Sequence, residues 1–255
     1  MSDITCTYAE STAVLALHNV DKLNALTTDM LRALDGHLSE IEFNDTVRAV
    51  IVTGAGSKAF CCGADIVEWG PLGPAEFARH WVRNGHRIFD RLARFCKPTI
   101  AAINGHAFGG GLELAACCDI RVIAPHATLA LPEAKVGIVP GWSGTQRLTR
   151  LLPEPVVKEM ALFGRRITAD RAVELGFAAE VADDALTVAR EIATTLDDIS
   201  PRANELAKAM IHGAVGEDTA AAIETLGSAA AASSTDRDEG VQAFLEKRSP
   251  AFGGN

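Results

Sequence analysis

The period of the hydrophobic positions changes several times along the chain, and each change predicts an element. Residues Ile4–Tyr8 and Ala13–His18 alternate and carry β-branched side chains, which predicts a hairpin turning at Glu10-Ser11. Between Thr28 and Phe43 the apolar positions are Met30, Leu31, Leu34, Leu38 and Ile41. That spacing is one face of a helix, capped by Thr27 or Thr28. Ala49–Val52 is apolar throughout and predicts a buried strand, with a loop following from Gly54 to Asp65. Gly70-Pro71-Leu72-Gly73-Pro74 breaks the chain before a long helix from Ala75 to about Phe95. Pro98–Ile103, Ile120–Ile123 and Ala127–Leu131 read as strands, and Leu112–Cys118 as a helix.

Two stretches share one plan. Ala49–Gly54 leads through a loop to Gly63-Ala64, and Thr99–Gly105 leads through a loop to Gly110-Gly111. Each reads as a strand, a glycine loop and a helix start. Set side by side, they would gather two helix N-termini, with their unpaired N–H groups, at one end of a sheet. Beyond about Arg150 the strand pattern stops. Pro153–Phe163, Ala169–Leu175, Ala185–Leu196, Arg202–His212, Thr219–Ala232 and Asp236–Glu246 all read as helices. The chain thus divides into an α/β core, residues 1–195, and a helical region, residues 196–255.

Composition narrows the function classes. The chain has 255 residues, 48% of them hydrophobic and 22% charged, with a net charge of −9. Those values suit one full-sized domain with an appendage. An acidic chain lacks the basic face expected of a nucleic-acid binder. No run is long and apolar enough to span a membrane. Met1-Ser2-Asp3-Ile4 does not open a secretion signal, so a cytoplasmic location is expected. The six cysteines include two adjacent pairs and no Cys-x-x-Cys. They read as reduced, mostly buried thiols, with no zinc site and no disulfide framework.

The chemistry-bearing residues are two glutamates behind glycine or proline turns. Glu113 follows Gly109-Gly110-Gly111-Leu112, and Glu133 follows Leu131-Pro132. Glu113 falls in the first turn of a helix otherwise lined by small and apolar residues. A carboxyl placed there enters an enclosed space and has its pKa raised, which suits proton transfer. The glycines match neither the dinucleotide fingerprint nor the Walker loop. Trp69, Phe77 and Trp81 read as core. Asp119 and Arg147 read as structural ion pairs or caps. His106, with no serine or cysteine nucleophile pattern beside it, reads as non-catalytic.

Taken together, Asp21–Leu26, Arg48–Asp65, Lys97–Asp119, Leu131–Leu148 and Glu239–Phe252 resemble the enoyl-CoA hydratase/isomerase, or crotonase, family over essentially the whole chain. The resemblance implies a spiral of ββα units with a C-terminal helical trimerisation region. It implies an acyl-CoA thioester substrate, coenzyme A being part of the substrate, and no separate cofactor. It further implies self-association as a trimer or a dimer of trimers, with a role in acyl-CoA breakdown.

By position, the resemblance implies that the N–H groups of Ala64 and Gly110 form an oxyanion hole, and that Glu113 and Glu133 hold the attacking water. Gly141 would donate a backbone hydrogen bond near that water. Lys22, Leu23, Cys62 and Ile66, with Asp65 in the same loop, would line the path of the pantetheine and adenine. Lys58 would lie near the CoA phosphates. Phe244 and Lys247, three apart on the last helix, would meet the CoA of an adjoining protomer. Trp142 and Ser143 depart from the small residues usual in hydratases directly after Gly141, and Leu131 departs from a polar or small one. Two carboxylates favour a hydratase. The alternatives are an enoyl-CoA isomerase, an acyl-CoA hydrolase, or a non-catalytic acyl-CoA-binding subunit.

Overall fold

A computed structural model describes residues 2–217 and 219–254, apart from the side chains of residues 220–222. Two compact units emerge, residues 1–201 and residues 202–255.

In the first unit, β1 (Asp3–Ala9) and β2 (Thr12–His18) form the expected antiparallel hairpin. Glu10 turns it with φ of 51°. Helix α1 (Thr28–Glu42) buries Met30, Leu31, Leu34, Leu38 and Ile41, and the Thr27 hydroxyl accepts from the Met30 N–H as its cap. Then comes a ββα plan. Strand β3 (Ala49–Gly54) leads to β4 (Ala59–Cys61) and to α2 (Ile66–Trp69), capped by Asp65.

The predicted long helix runs as α3 (Pro74–Glu76), a π-helical turn over Phe77–Val82, and α4 (Arg83–Ala93). The plan then repeats. Strand β5 (Thr99–Ile103) leads to β6 (His106–Phe108) and α5 (Gly110–Ala116). A third turn follows with β7 (Ile120–Ile123), β8 (Thr128–Ala130) and a 3-10 turn over Glu133–Val136.

Beyond these lie α6 (Gly144–Leu151), α7 (Glu154–Phe163), β9 (Ile167–Thr168), α8 (Ala169–Glu174), β10 (Glu180–Val181) and α9 (Ala185–Thr194). The six-stranded sheet has the order β1-β2-β3-β5-β7-β10, and the four-stranded sheet β4-β6-β8-β9. Each turn of the spiral therefore contributes one strand to each sheet. Every neighbour pair is parallel except β1–β2 and β8–β9.

Strand β3 is buried on both faces. Val50 and Val52 join the main core, while Ala49 and Ile51 meet Ala185, Ala189 and Ala193 of α9. That two-sided burial explains its unbroken apolar run.

Three expectations need correction. Strands do not stop at Arg150, because β9 and β10 follow; at two residues each they are too short to leave an alternating pattern. Strands β4 and β6 were hidden among glycine-flanked loop residues. Helix α6 begins at Gly144, inside a stretch whose pattern predicts no helix.

The second unit holds α10 from Arg202 onward (Pro201–Ala214 in full), α11 (Thr219–Ala232) and α12 (Thr235–Glu246). The tail folds back on α12. Asp236 Oδ1 accepts from the Gly253 N–H at 2.7 Å, and Arg248 pairs with Glu239. Met210, Ile211, Ile223, Phe244 and Leu245 are exposed.

Candidate active site

The parallel repeats place two helix starts together. Leu26 and Ala64 form an isolated parallel bridge, fixed by Leu26 N–H to Gly63 O at 2.7 Å and Asp65 N–H to Leu26 O at 2.8 Å. On the neighbouring repeat, Gly109 turns with φ of 51° into α5. Only a few ångströms separate the two turns: a Cβ on Gly110 would lie 3.6 Å from the Ala64 nitrogen, and one on Gly63 would lie 3.4 Å from the Gly110 nitrogen. Among the described residues, neither the Ala64 nor the Gly110 N–H donates to a protein acceptor.

Ala64 and Gly110 line a cavity of about 190 Å³. Its polar lining includes Glu113 and Glu133; its apolar lining includes Ile66, Trp69, Phe77, Trp81, Val82, Ile138 and Trp142. Glu113 is buried, and its Oε1 accepts from the Trp142 N–H at 2.8 Å and the Gly144 N–H at 2.7 Å. Burial, and then the neighbouring Glu133 charge, push its pKa up to about 7, against the pull of those two N–H groups and of Arg147. Glu133 is also buried, and burial raises its pKa too. Among the described residues its Oε2 has no hydrogen-bond partner. Its Oε1 packs onto Gly109, where an added Cβ would stand 2.7 Å away.

The remaining site residues divide into three groups. Cys62, Ile66, Gly141 and Trp142 line the cavity with Ala64 and Gly110. Lys22 and Leu23 stand beside them, since the Cys62 N–H donates to Leu23 O at 3.0 Å and the Cys62 thiol to Lys22 O at 3.3 Å. The Asp65 carboxylate is taken up by the Val67 N–H and by Lys22 Nζ at 2.6 Å. Lys58 is exposed in the β3–β4 loop and is not part of the cavity lining. Phe244 is 83% exposed on the second unit. Lys247 ends α12 with φ of 54°, so it leaves the helix and does not share a helical face with Phe244.

The structure also uses residues that carried no sequence signal. Trp69, Phe77 and Trp81, read as core, line the cavity as well as packing on the core. The Trp142 and Gly144 amides hold Glu113, a role no side-chain pattern announces. Asn24 and Asn104 shape the loops around the site. Asn24 donates to Ala55 O and Ala59 O, and Asn104 donates to Gly54 O and Gly56 O. His106 accepts from the Thr128 N–H and lies outside the cavity lining. Asp119 caps β5 by accepting from the Thr99 N–H. Among the described residues no cysteine is in a disulfide; Cys61, Cys117 and Cys118 are buried and the other three half-buried. Among the described residues no cluster of three His, Cys, Asp or Glu side chains could hold a metal, and no helix is long and apolar enough to cross a membrane.

A ββα spiral with two buried carboxylates beside two free amides defines a class of protein, and comparison with known proteins gives the same class. Residues 7–255 match the model of the enoyl-CoA hydratase/isomerase family, and the chain belongs to that family. The short-chain-enoyl-CoA hydratase of Clostridium acetobutylicum is 38% identical, over 92% of each chain. The crotonyl-CoA hydratase of Syntrophomonas wolfei is 35% identical, over 95% of each. The crystal structure of an enoyl-CoA hydratase from Bacillus anthracis superposes with a TM-score of 0.81 at 36% identity, covering 99% of both chains. The crotonase-like spiral implied by the sequence is thus the fold of this chain.

Proposed function

We propose that the chain adds water syn across the 2,3 double bond of a 2-enoyl-CoA thioester, giving a 3-hydroxyacyl-CoA. One observation carries this reading. Two buried carboxylates, both with raised pKa values, line the same cavity as two unpaired backbone amides.

The Ala64 and Gly110 N–H groups receive the thioester oxygen. Both protein donors to Glu113 fall on Oε1, leaving Oε2 for proton chemistry. Ionised Glu113 takes a proton from water as the oxygen bonds to the β-carbon. The alkene electrons move to the thioester oxygen, and the amides stabilise the enolate-like charge there; one such donor contributes roughly 3–4 kcal/mol. Protonated Glu133 then gives its proton to the α-carbon as the carbonyl re-forms. A proton passing from Glu113 to Glu133 restores the starting state. The assignment of base and acid belongs to the pair, because coupled carboxylates share their titration. The addition is redox-neutral and balances with water alone, so we assign no cofactor.

Cys62, Ile66, Gly141 and Trp142 enclose the acyl and pantetheine portions, with Lys22, Leu23, Asp65 and Lys58 toward the nucleotide. Phe244 and Lys247 serve an adjoining protomer in a trimer or a dimer of trimers, and the protein works in the cytoplasm on acyl-CoA breakdown. The test is spectrophotometric. Purified protein should bleach the conjugated enoyl-thioester band of a 2-enoyl-CoA. A gain of that band from a 3-enoyl-CoA would make the protein an isomerase, and release of free thiol a hydrolase. Binding of acyl-CoA with no turnover would make it a carrier subunit.

A further inference from the structure

The turn that holds Glu113 is itself in an unfavourable conformation. Ser143 has φ of 82° and ψ of 10°, a left-handed geometry that disfavours any residue with a Cβ. Its effect is to bring the amides on either side of it, those of Trp142 and Gly144, onto one oxygen of Glu113. Behind this turn lies a two-rung polar ladder. Ser143 Oγ meets His86 Nδ1 at 3.1 Å, and Arg147 Nη2 donates to Asp90 Oδ1 at 2.8 Å.

Residues 143 and 147 are one helical turn apart at the start of α6, and residues 86 and 90 are one turn apart on α4. Within α4, His86 Nε2 and Asp90 approach at 3.9 Å. The lower rung reaches a third helix, because Arg147 also donates to Cys117 Sγ at 3.4 Å, one turn beyond Glu113 on α5. Arg147 is only 7% exposed. The ladder therefore fixes α6 against both α4 and α5 at the place where its first amides must converge on Glu113.

We propose that Ser143, held by His86, is a positioning residue that aims the Trp142 and Gly144 amides at Glu113, with Arg147–Asp90 as the second rung. This rests on Glu113 acting in proton transfer. The charged and titratable groups that act on Glu113 are Glu133 from the turn after β8, Arg147 from α6 and Cys117 from its own helix. Arg147 favours the ionised carboxylate, so the ladder acts on Glu113 both through geometry and through charge. It differs from a simple tether between helices in what its loss does. Cutting a tether would change stability; cutting this ladder changes where Glu113 titrates.

Ser143→Gly is the informative variant. Glycine accepts the left-handed backbone without strain, so the variant removes the hydroxymethyl group and its bond to His86 without straining the turn. Loss of one hydrogen bond should lower kcat about fivefold with little change in KM. The acid limb of the kcat–pH profile should move to higher pH, because loosened donors favour the ionised carboxylate less. His86→Phe should give a similar shift, and the double variant should lose little more than either single one. Ser143→Asn, which tolerates the left-handed region and carries a polar side chain toward His86, should recover most of the rate. Wild-type kcat and an unmoved acid limb in Ser143→Gly would overturn the proposal, as would losses that multiply in the double variant. Glu113→Gln separates this from the underlying reading. If that variant hydrates at the wild-type rate, the assignment of Glu113 falls, whatever Ser143→Gly shows.

Discussion

The Trp142 indole fills the space that a side chain at Gly85 would need. A Cβ on Gly85 would stand 2.2 Å from Trp142 Nε1, and one on Gly110 would stand 2.8 Å from Cζ3 of the same ring. Trp81 and Phe89 pack on it with ring centroids 5.4 and 5.0 Å away. Gly85 lies inside α4, where glycine costs about 1 kcal/mol relative to alanine. Lodging the indole explains that cost.

Trp142 therefore closes the cavity on the Gly110 side. Trp142→Ala should extend activity to longer or branched acyl chains, measured as kcat/KM across a series of enoyl-CoAs. Gly85→Ala should force the ring to move and lower stability by about 1–3 kcal/mol, as overpacking does. A chain-length profile identical to wild type in Trp142→Ala would show that the indole does not limit the acyl group.

The two carboxylates should behave as a unit. Glu113→Gln and Glu133→Gln should each lower kcat by a factor on the order of 10² or more. The double variant should lose far less than the product of the two, because residues acting in one step are non-additive. Near-normal turnover in either single variant would remove that residue from the mechanism.

Gly109→Ala should reproduce much of the Glu133 loss without touching a carboxylate. The position has φ of 51°, and its added methyl would sit 2.7 Å from Glu133 Oε1. Expected is a fall in kcat on the order of 10², the scale of one misplaced acid/base group. A crystal structure of the variant should show Glu133 displaced; an undisturbed carboxylate with full activity would mean that its place near Gly109 is unimportant.

Sequence legibility followed burial and element length. Helix α1 was readable because five apolar residues at helical spacing all face the core, with Thr27 as its cap. The hairpin was readable from alternation. Strands β9 and β10 were not, because two residues cannot establish a period. At the site, Glu113 and Glu133 stand out as carboxylates behind glycine and proline turns, Glu113 in apolar surroundings. The repeated strand–glycine–helix plan announces two helix starts with unpaired N–H groups; the particular amides of Ala64 and Gly110 follow only from the family resemblance. The donors to Glu113 did not stand out, because any residue supplies a backbone N–H. Nor did the ladder, whose members His86, Asp90, Ser143 and Arg147 meet only when α4 and α6 pack together. Trp69, Phe77 and Trp81 read as core in the sequence because aromatic residues that line a cavity have the same spacing as those that fill one.

The second unit should govern assembly and nucleotide affinity. Several large apolar side chains are exposed on it, Phe244 most of all. On the proposed trimeric or hexameric assembly, truncation before Asp236 should lower the sedimentation coefficient toward that of smaller species. Lys247→Ala should raise the KM for acyl-CoA but hardly affect a pantetheine thioester lacking the nucleotide. A monomeric wild type, or equal effects on both substrates, would remove the C-terminal residues from the substrate site.

Glu113 should also cost the protein stability. Its pKa is raised from 4.5 to about 7 in the folded chain. Between those values the folded state holds a proton that the unfolded state has released. Stability must therefore fall as pH rises through that window and stay low above it. A shift of this size corresponds to about 3 kcal/mol at its full extent. Glu113→Gln keeps an acceptor oxygen for the Trp142 and Gly144 amides but carries no charge. Its denaturant midpoint should exceed that of wild type at pH 8, and the two should converge near pH 4.5. The variant would then be more stable and less active, as expected where burial of a carboxylate is retained for its chemistry. A variant no more stable than wild type at pH 8 would show that Glu113 ionises in the folded state without penalty, and that its pKa is not raised.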